Sequence, residues 1–150
     1  MDLETYFEKN KIWHRFIEKS ETVHTADAAK VAGVPLQKLT KNLVSVTDGG
    51  EYVLLIIAGD KKVNLKTAAK LLNVKKISLV PFEKAESISG CPPGGTPSVG
   101  HKTKMRAIID KQLLENDTIF CGGGSRDRLL ELKTKDVIKL NEAIIGVISE

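Results

Sequence analysis

The stretch LVSVTDGGEYVLLIIA, residues 43–58, carries two runs of strand-forming residues on either side of one turn. Apolar and β-branched residues dominate positions 43–47 and 52–58, and such residues favour extended backbone. Asp48, Gly49 and Gly50 lie between the two runs and are typical of the turn in a β-hairpin. The sequence therefore predicts an antiparallel hairpin at residues 43–58.

The spacing of apolar residues predicts short helices and strands on both sides of this hairpin. Before it we expect a helix at residues 2–10, a strand at 12–17, a helix at 26–32 and a helical turn after Pro35. After it we expect helices at 65–72, 81–89 and 134–140, and strands at 77–80, 105–109, 118–121, 129–132 and 144–148. Thr25 and Thr134 are the expected N-caps of the helices that follow them. This mixed order favours the α+β class, with one domain over residues 1–150 and a mixed, curved sheet.

Composition limits the functional classes without selecting one. The 150 residues are 41% apolar and 28% charged, and no apolar run reaches the length of a membrane span. The formal net charge of +4 is compatible with a polyanionic partner such as nucleic acid. The start, MDLETYFEKNK, does not resemble a secretory signal, so we expect a cytoplasmic protein without a membrane partner. Two cysteines in separate glycine-rich segments are too few for a disulfide framework or a four-ligand zinc site.

A glycine- and proline-rich stretch, GCPPGGTPSVGHK at residues 90–102, is the first candidate for a functional site. It holds three of the five prolines and four of the twelve glycines, which predicts a rigid loop with exposed backbone groups. The N–H groups of Gly94, Gly95 and Gly100 can hold an anion or a reacting carbonyl oxygen. The alternative is a stiff connection between a helix and a strand. His101, at the exit of the loop, would lie near any ligand bound there.

A few other residues are candidates for chemistry. Lys41 stands just before the predicted strand at residues 43–47, where it can act as a cation or a base, or can simply be a solvated lysine. The segment CGGGSR, residues 121–126, can contact a phosphate but matches no nucleotide-binding motif. The three histidines are too scattered for a metal site or a catalytic triad. We therefore expect neither a metal nor a cofactor.

Several segments together resemble the YbaK/ProX family, the free-standing relatives of the editing domain inserted in prolyl-tRNA synthetases. The similar segments are HTADAAKVAGV at residues 24–34, LTKNLV at 39–44, LKTAAKLLNVKKI at 65–77, GGTPSVGHKTKMRAIID at 94–110 and IFCGGGSR at 119–126. The resemblance covers nearly the whole chain, and the order and spacing of these segments make it specific.

This resemblance implies a single-domain hydrolase that cleaves the aminoacyl ester of mischarged tRNA, with a partly barrel-like sheet flanked by helices. It assigns an essential role to Lys41 and makes the loop at residues 94–100 the wall of an aminoacyl pocket facing that lysine. It also places residues 122–125 near the terminal adenosine. The implied partners are the 3′ aminoacyl end of tRNA and an aminoacyl-tRNA synthetase, and we expect a monomer or a weak dimer. The expected catalytic residues are Lys41, Gly94 and Gly95, and the expected substrate-binding residues are Thr96, Pro97, Ser98, Val99, Gly100, His101, Gly123, Gly124 and Ser125.

The chain departs from the pattern of this family at three positions. Ser98 stands where many relatives have a proline, and Pro97 comes one place earlier. Phe16 and Leu129 stand where the cysteinyl-specific branch often has tyrosine and aspartate, so cysteine specificity is not expected. Two other functions stay open at this point: a tRNA- or synthetase-binding module without hydrolysis, and an esterase for small acyl esters.

Overall fold

Five α-helices and eight strands form the fold in the computed structural model, which describes residues 2–150. The helices are α1 (Leu3–Asn10), α2 (Thr25–Ala32), α3 (Leu65–Leu72), α4 (Phe82–Ser89) and α5 (Thr134–Asn141). The strands are β1 (His14–Glu18), β2 (Thr40–Thr47), β3 (Tyr52–Ala58), β4 (Ile77–Leu79), β5 (Arg106–Asp110), β6 (Thr118–Gly122), β7 (Arg128–Lys133) and β8 (Ile144–Gly146). Two short 3₁₀ segments, Leu36–Lys38 and Lys111–Glu115, complete the regular structure.

The strands form two sheets. The larger one has the order β4-β2-β3-β5-β8, with antiparallel pairing of β4, β2 and β3 and parallel pairing of β3, β5 and β8. The smaller sheet is antiparallel and has the order β1-β7-β6. A single bridge between Leu39, just before β2, and Phe120 of β6 joins the two sheets, and neither sheet closes on itself. The predicted α+β class and mixed pairing are confirmed, and the predicted partly barrel-like sheet is a pair of open sheets.

The predicted hairpin lies in the middle of the larger sheet. Val46 pairs with Tyr52 next to the turn, and Thr47 O accepts a hydrogen bond of 2.9 Å from the N–H of Gly50, whose φ of +88° suits glycine. All of β3 after Tyr52 is buried, because strands cover both of its edges and other elements cover both of its faces. Its continuous apolar sequence is typical of such a central strand.

The two faces of β3 contribute to two separate cores. Leu54, Ile56 and Ala58 face a core shared with α1, α5 and the smaller sheet. The alternate residues Val53 and Ile57 pack with α3 in a second core, together with Leu55, Ala68 and Leu72. Since side chains alternate across a strand, this arrangement also fixes the direction of every side chain in the neighbouring β2.

Three predictions about element ends are wrong. Thr25 and Thr134 are the first residues of α2 and α5, and neither N-cap position, His24 or Lys133, caps its helix with a side chain. The Thr134 hydroxyl instead donates to Asn116 O at 2.6 Å. Lys41 lies within β2 and not before it, because pairing with β3 extends back to Thr40. No helix within residues 2–150 is long and apolar enough to span a membrane.

Candidate active site

A cavity of about 430 Å³ lies along the edge of β2, and this volume is in the range of ligand pockets. The ladder between β4 and β2 ends at the pair Ser45 and Leu79, followed by a hydrogen bond of 3.0 Å from Val80 N to Val44 O. Between this end and the bridge of Leu39 to Phe120, residues 41–43 of β2 have no paired strand on that side. The cavity occupies this space, between the start of α2, the helix α4 and the loop at residues 90–102.

The walls of the cavity are mainly apolar, with few polar groups. The apolar lining includes Ala28, Leu39, Val44, Val80 and Leu129. The polar lining consists of Thr25, Thr40, Asn42, Thr96 and His24, and Lys41 and Glu86 are the lining residues of opposite charge. Three exposed apolar side chains, Val23, Leu79 and Phe82, also line the cavity and give it an apolar rim. Such a cavity can bind a ligand with both apolar and charged parts.

Gly94 brings the glycine–proline loop against the start of α2. Its φ is +89°, and a Cβ atom there would lie 2.8 Å from Val23 Cα, so only glycine fits this position without strain. Its N–H has no hydrogen-bond partner among residues 2–150. Gly94 and Thr96 line the cavity, as do Cys91 and Pro93 of the same loop. The loop and β2, with Lys41, thus contribute to the same cavity.

Ser98 fastens the loop to β2 from behind the cavity. Its hydroxyl is fully buried and donates a hydrogen bond of 2.6 Å to Asn42 Oδ1. Asn42 Nδ2 in turn donates to Thr40 Oγ1 at 2.9 Å and to Thr96 O at 3.3 Å. On the other side, Asn141 Nδ2 donates to Ser98 O at 2.7 Å. A proline at position 98 would have no hydroxyl to donate and could not make the hydrogen bond to Asn42.

The remaining residues of this loop support the wall and do not line the cavity. Pro97 is buried, and its carbonyl accepts a hydrogen bond of 2.7 Å from His101 Nε2. Burial lowers the pKa of His101 more than this hydrogen bond raises it, so the ring is neutral with its proton on Nε2. Val99 is fully buried in the first core, and Gly100 adopts a φ of +74° beside Leu3.

The second glycine run, at residues 122–125, packs directly on the glycine–proline loop at residues 90–102. A Cβ atom on Gly95 would lie 2.7 Å from the carbonyl carbon of Ser125, and one on Gly122 would overlap the backbone of Gly95. The N–H of Gly124 donates to Gly95 O at 2.9 Å, and Arg126 Nε donates to Pro93 O at 2.8 Å. The two loops therefore form one unit, held by backbone contacts that side chains would prevent.

Most of the second glycine run stands outside the cavity. Gly122 lines it, whereas Gly123, Gly124 and Ser125 do not. The N–H of Gly123 donates to Arg128 O at 3.1 Å, and Ser125 Oγ donates to Asp127 at 2.6 Å. The N–H of Gly95 is also used, because it donates to Pro92 O at 2.8 Å. Of the three loop glycines expected to offer donors, Gly94 is the one that lines the cavity.

Lys41 also lines the cavity. Because side chains alternate along β2, its side chain lies on the opposite face from those of Thr40 and Asn42. Lys41 pairs with Ile57, which faces the second core, and Nζ donates to Lys61 O at 2.8 Å. The Lys61 carbonyl holds the Lys41 ammonium near the turn that follows β3, where Gly59 also lines the cavity. An ammonium has three protons, so two donors remain for a ligand at this end of β2.

The start of α2 adds a positive electrostatic end to the same cavity. Residues 23–26 line it, and no side chain caps the first turn of the helix. The first N–H groups of a helix have no partners within the helix and favour negative charge. The sequence did not reveal this feature, because Thr25 was the expected cap. Asn42 was also missed, although polar residues at 40 and 42 in an otherwise apolar strand were a usable signal.

Neither metal nor thiolate chemistry is evident in the described part of the chain. Residues 2–150 contain no group of three His, Cys, Asp or Glu side chains placed to hold a metal ion. Burial raises the pKa of Cys91, which lines the cavity, and raises the pKa of the fully buried Cys121 to about 11. Both cysteines are therefore protonated at neutral pH and are poor nucleophiles.

Comparisons with known proteins identify relatives of this arrangement. The family model described as "Aminoacyl-tRNA editing domain" matches residues 19–140. The uncharacterized protein YwhH of Bacillus subtilis is 30% identical over 122 residues, covering 81% of this chain and 76% of YwhH. The multifunctional Ser/Thr-tRNA deacylase ProXp-y of Escherichia coli K12 is 26% identical, covering 86% of this chain and 77% of the deacylase.

Longer proteins and solved structures also match. The proline–tRNA ligase of Cupriavidus necator is 28% identical over 113 residues, which are 73% of this chain but 19% of the ligase. The hypothetical protein APE2540 has the same fold, with a TM-score of 0.91, 25% identity and 99% coverage of both chains. The match to an aminoacyl-tRNA editing model extends over far more than half of the sequence, and YwhH supports it at 30% identity. The chain therefore belongs to the family of aminoacyl-tRNA editing domains.

Proposed function

We propose that this protein is an aminoacyl-tRNA deacylase that hydrolyses the ester of mischarged tRNA in trans. The observation that carries the proposal is the cavity beside β2, which combines apolar walls, a lysine and an uncapped helix start. The family and a deacylase relative that aligns over most of both chains support this activity. The proposed activity places the protein in the cytoplasm, acting as a monomer or weak dimer on tRNA released or delivered by a synthetase.

Hydrolysis of an aminoacyl ester requires little from side chains. A water molecule adds to the ester carbonyl, the bond to the ribose oxygen breaks, and the free amino acid and the tRNA hydroxyl are released. The ester is already activated, so placing the water and stabilising the carbonyl oxygen supply most of the rate. The free N–H of Gly94 and the first turn of α2 are the donors we assign to that oxygen. Gly95 assists by holding the loop.

Lys41 is the residue to which we assign the nucleic-acid end of the substrate. Its ammonium is held by Lys61 O and keeps two donors for a phosphate oxygen of the terminal nucleotide. The apolar rim of Val23, Leu79 and Phe82 offers a surface on which an unpaired base of the tRNA end can stack. Thr96 lies on the cavity wall, where it can contact the aminoacyl group. Pro97, Ser98, Val99, Gly100 and His101, with Gly123, Gly124 and Ser125, then shape the wall from behind.

A deacylation panel tests both the activity and the role of Lys41. Alanine, serine, cysteine, threonine and proline esters on several tRNAs are incubated with the protein, and release of amino acid is measured. We expect at least one ester to be cleaved, and Lys41→Ala to lower kcat/KM by roughly 100-fold, as expected for loss of a charged group that binds the reacting substrate. Lys66→Ala, an exposed lysine on α3, is the matched control and should have no effect.

Other outcomes would contradict this proposal in distinct ways. Tight binding of aminoacyl-tRNA without release of amino acid would indicate a binding module of the same fold. Cleavage of small acyl esters at a rate insensitive to salt would indicate a general esterase, because phosphate contacts weaken steeply with ionic strength. Wild-type rates for Lys41→Ala across the panel would remove Lys41 from the site.

A further inference from the structure

Glu86 is a carboxylate in a cavity that should otherwise avoid negative charge. Within residues 2–150 it is the acidic residue that lines the cavity beside β2. Its carboxylate has no hydrogen bond and no ion pair among these residues, although 23 lysines and arginines are present in the chain. The tRNA end is a polyanion, so an unpaired carboxylate at this place opposes binding unless it meets a positive group of the substrate.

Glu86 lies beside other residues that line the cavity. It follows Phe82 by one turn of α4 and is adjacent to Ala85, and both of these apolar residues line the cavity. Cys91, also in the lining, lies close enough that the Glu86 charge adds to the effect of burial in raising the pKa of the thiol. Glu86 is itself exposed at the mouth of the cavity, so solvent partly screens a charge interaction made there.

The proposed substrate has one cation that can meet this carboxylate. An α-amino group has an unperturbed pKa of about 8 and is largely protonated at neutral pH. The sugar and phosphates at the tRNA end carry no positive charge. A cavity with Lys41 on β2 and Glu86 on α4 is therefore complementary to an ester with a phosphate on one part and an ammonium on another.

We propose that Glu86 binds the α-ammonium of the aminoacyl group, so that the site accepts unblocked aminoacyl esters and rejects N-acylated ones. This inference rests on the proposed function and specifies its substrate class. Acylation of the amine removes the positive charge, adds volume and leaves Glu86 without its partner. Esters with a blocked amine, such as those at the end of a growing peptide, are then spared from hydrolysis.

The test compares seryl-tRNA with N-acetylseryl-tRNA at pH 7. We expect the wild-type protein to cleave the blocked ester at least about tenfold more slowly. Glu86→Gln should lower kcat/KM for seryl-tRNA about five- to tenfold, as for a partly solvated charge pair, and leave the blocked ester unchanged. The matched control is Glu83→Gln, which removes the same charge from an exposed residue of α4 outside the cavity lining and should keep the wild-type preference.

A binding measurement separates this inference from catalysis. The stable 3′-amide analogue of seryl-adenosine and its N-acetyl form are titrated against the wild-type protein and Glu86→Gln. Tighter binding of the unblocked analogue by the wild type alone supports the role of Glu86, even where hydrolysis fails. Equal binding of both analogues, or a wild-type preference in Glu86→Gln, overturns the inference. Cleavage of seryl-tRNA together with either result leaves the proposed function intact.

Discussion

Removing the Ser98 hydroxyl should loosen the loop that walls the cavity. In Ser98→Ala, Asn42 Oδ1 loses a donor at 2.6 Å and Thr40 Oγ1 loses a neighbour at 3.2 Å. Ser98 is fully buried, whereas Asn42 is partly exposed and can recruit water. One lost hydrogen bond of this kind lowers the free energy of unfolding by about 1–2 kcal/mol. For a chain of this size, that corresponds to a fall in Tm of roughly 3–6 °C.

The same change should also lower activity. Asn42 also holds Thr96 O, so the cavity wall is displaced when the amide is released from Ser98. Misplacement of a wall that positions a substrate commonly costs tenfold or more, and we expect kcat/KM for the cleaved ester to fall roughly tenfold. Ser87→Ala is the control, because Ser87 is exposed and its hydroxyl donates only to Lys84 O within α4.

Thermal unfolding and deacylation rates are measured on Ser98→Ala, Asn42→Ala and the double variant. If the hydrogen bond between Ser98 and Asn42 stabilises the loop, the losses of stability in the two single variants are not additive, and the coupling energy is about 1 kcal/mol. Additive effects, or a Ser98→Ala protein with the Tm and rate of the wild type, would refute the reasoning. Ser98→Pro tests whether the loop needs the hydroxyl or only rigidity. Full activity in this variant would show that rigidity matters and the hydroxyl does not.

Two further predictions concern packing and pH. Gly95→Ala places a Cβ atom 2.7 Å from the Ser125 carbonyl carbon and should lower the free energy of unfolding by about 2 kcal/mol or more. Urea denaturation measures this change. Gly49→Ala is the control and should have little effect, because the nearest atom to its Cβ would lie 3.8 Å away. Equal stability of both variants would mean that the loops separate easily. Burial raises the pKa of Glu131, but hydrogen bonds from Thr118 and Arg15 outweigh it and leave the pKa below its usual value of 4.5. The carboxylate therefore stabilises the fold above pH 4.5 and loses this effect as the pH falls through the folded-state pKa, so the Tm deficit of Glu131→Gln at pH 7 should shrink as the pH is lowered below 4.5; a deficit that is constant with pH would contradict this assignment.

The sequence predicted the hairpin and the order of elements because these depend on local patterns. Residues 52–58 form β3 with the predicted bounds, since a continuous apolar run between turn residues leaves few alternatives. The ends of elements were less predictable. Thr25 had the right chemistry for a cap, but the helix begins one residue earlier than a cap at that position allows.

The site was only partly predictable, because it depends on contacts between distant segments. Lys41 and Gly94 line one cavity, and their roles in catalysis and substrate binding stay predictions. Asn42 and Glu86 become candidates only in the structure, where β2 and α4 line the same cavity. A single polar residue on a short helix has no local signal that distinguishes it from a solvated side chain.

The contact between the two glycine loops restricts how this site can diverge. A Cβ atom on Gly122 would displace the backbone of Gly95, and a Cβ atom on Gly95 would displace the backbone of Ser125. Neither position can therefore be used to adjust the shape of the cavity, and a change at one cannot be compensated by a smaller residue at the other. New substrate preferences must come instead from the opposite walls, where Thr25 and Glu86 have side chains that can be exchanged while the loop framework stays fixed.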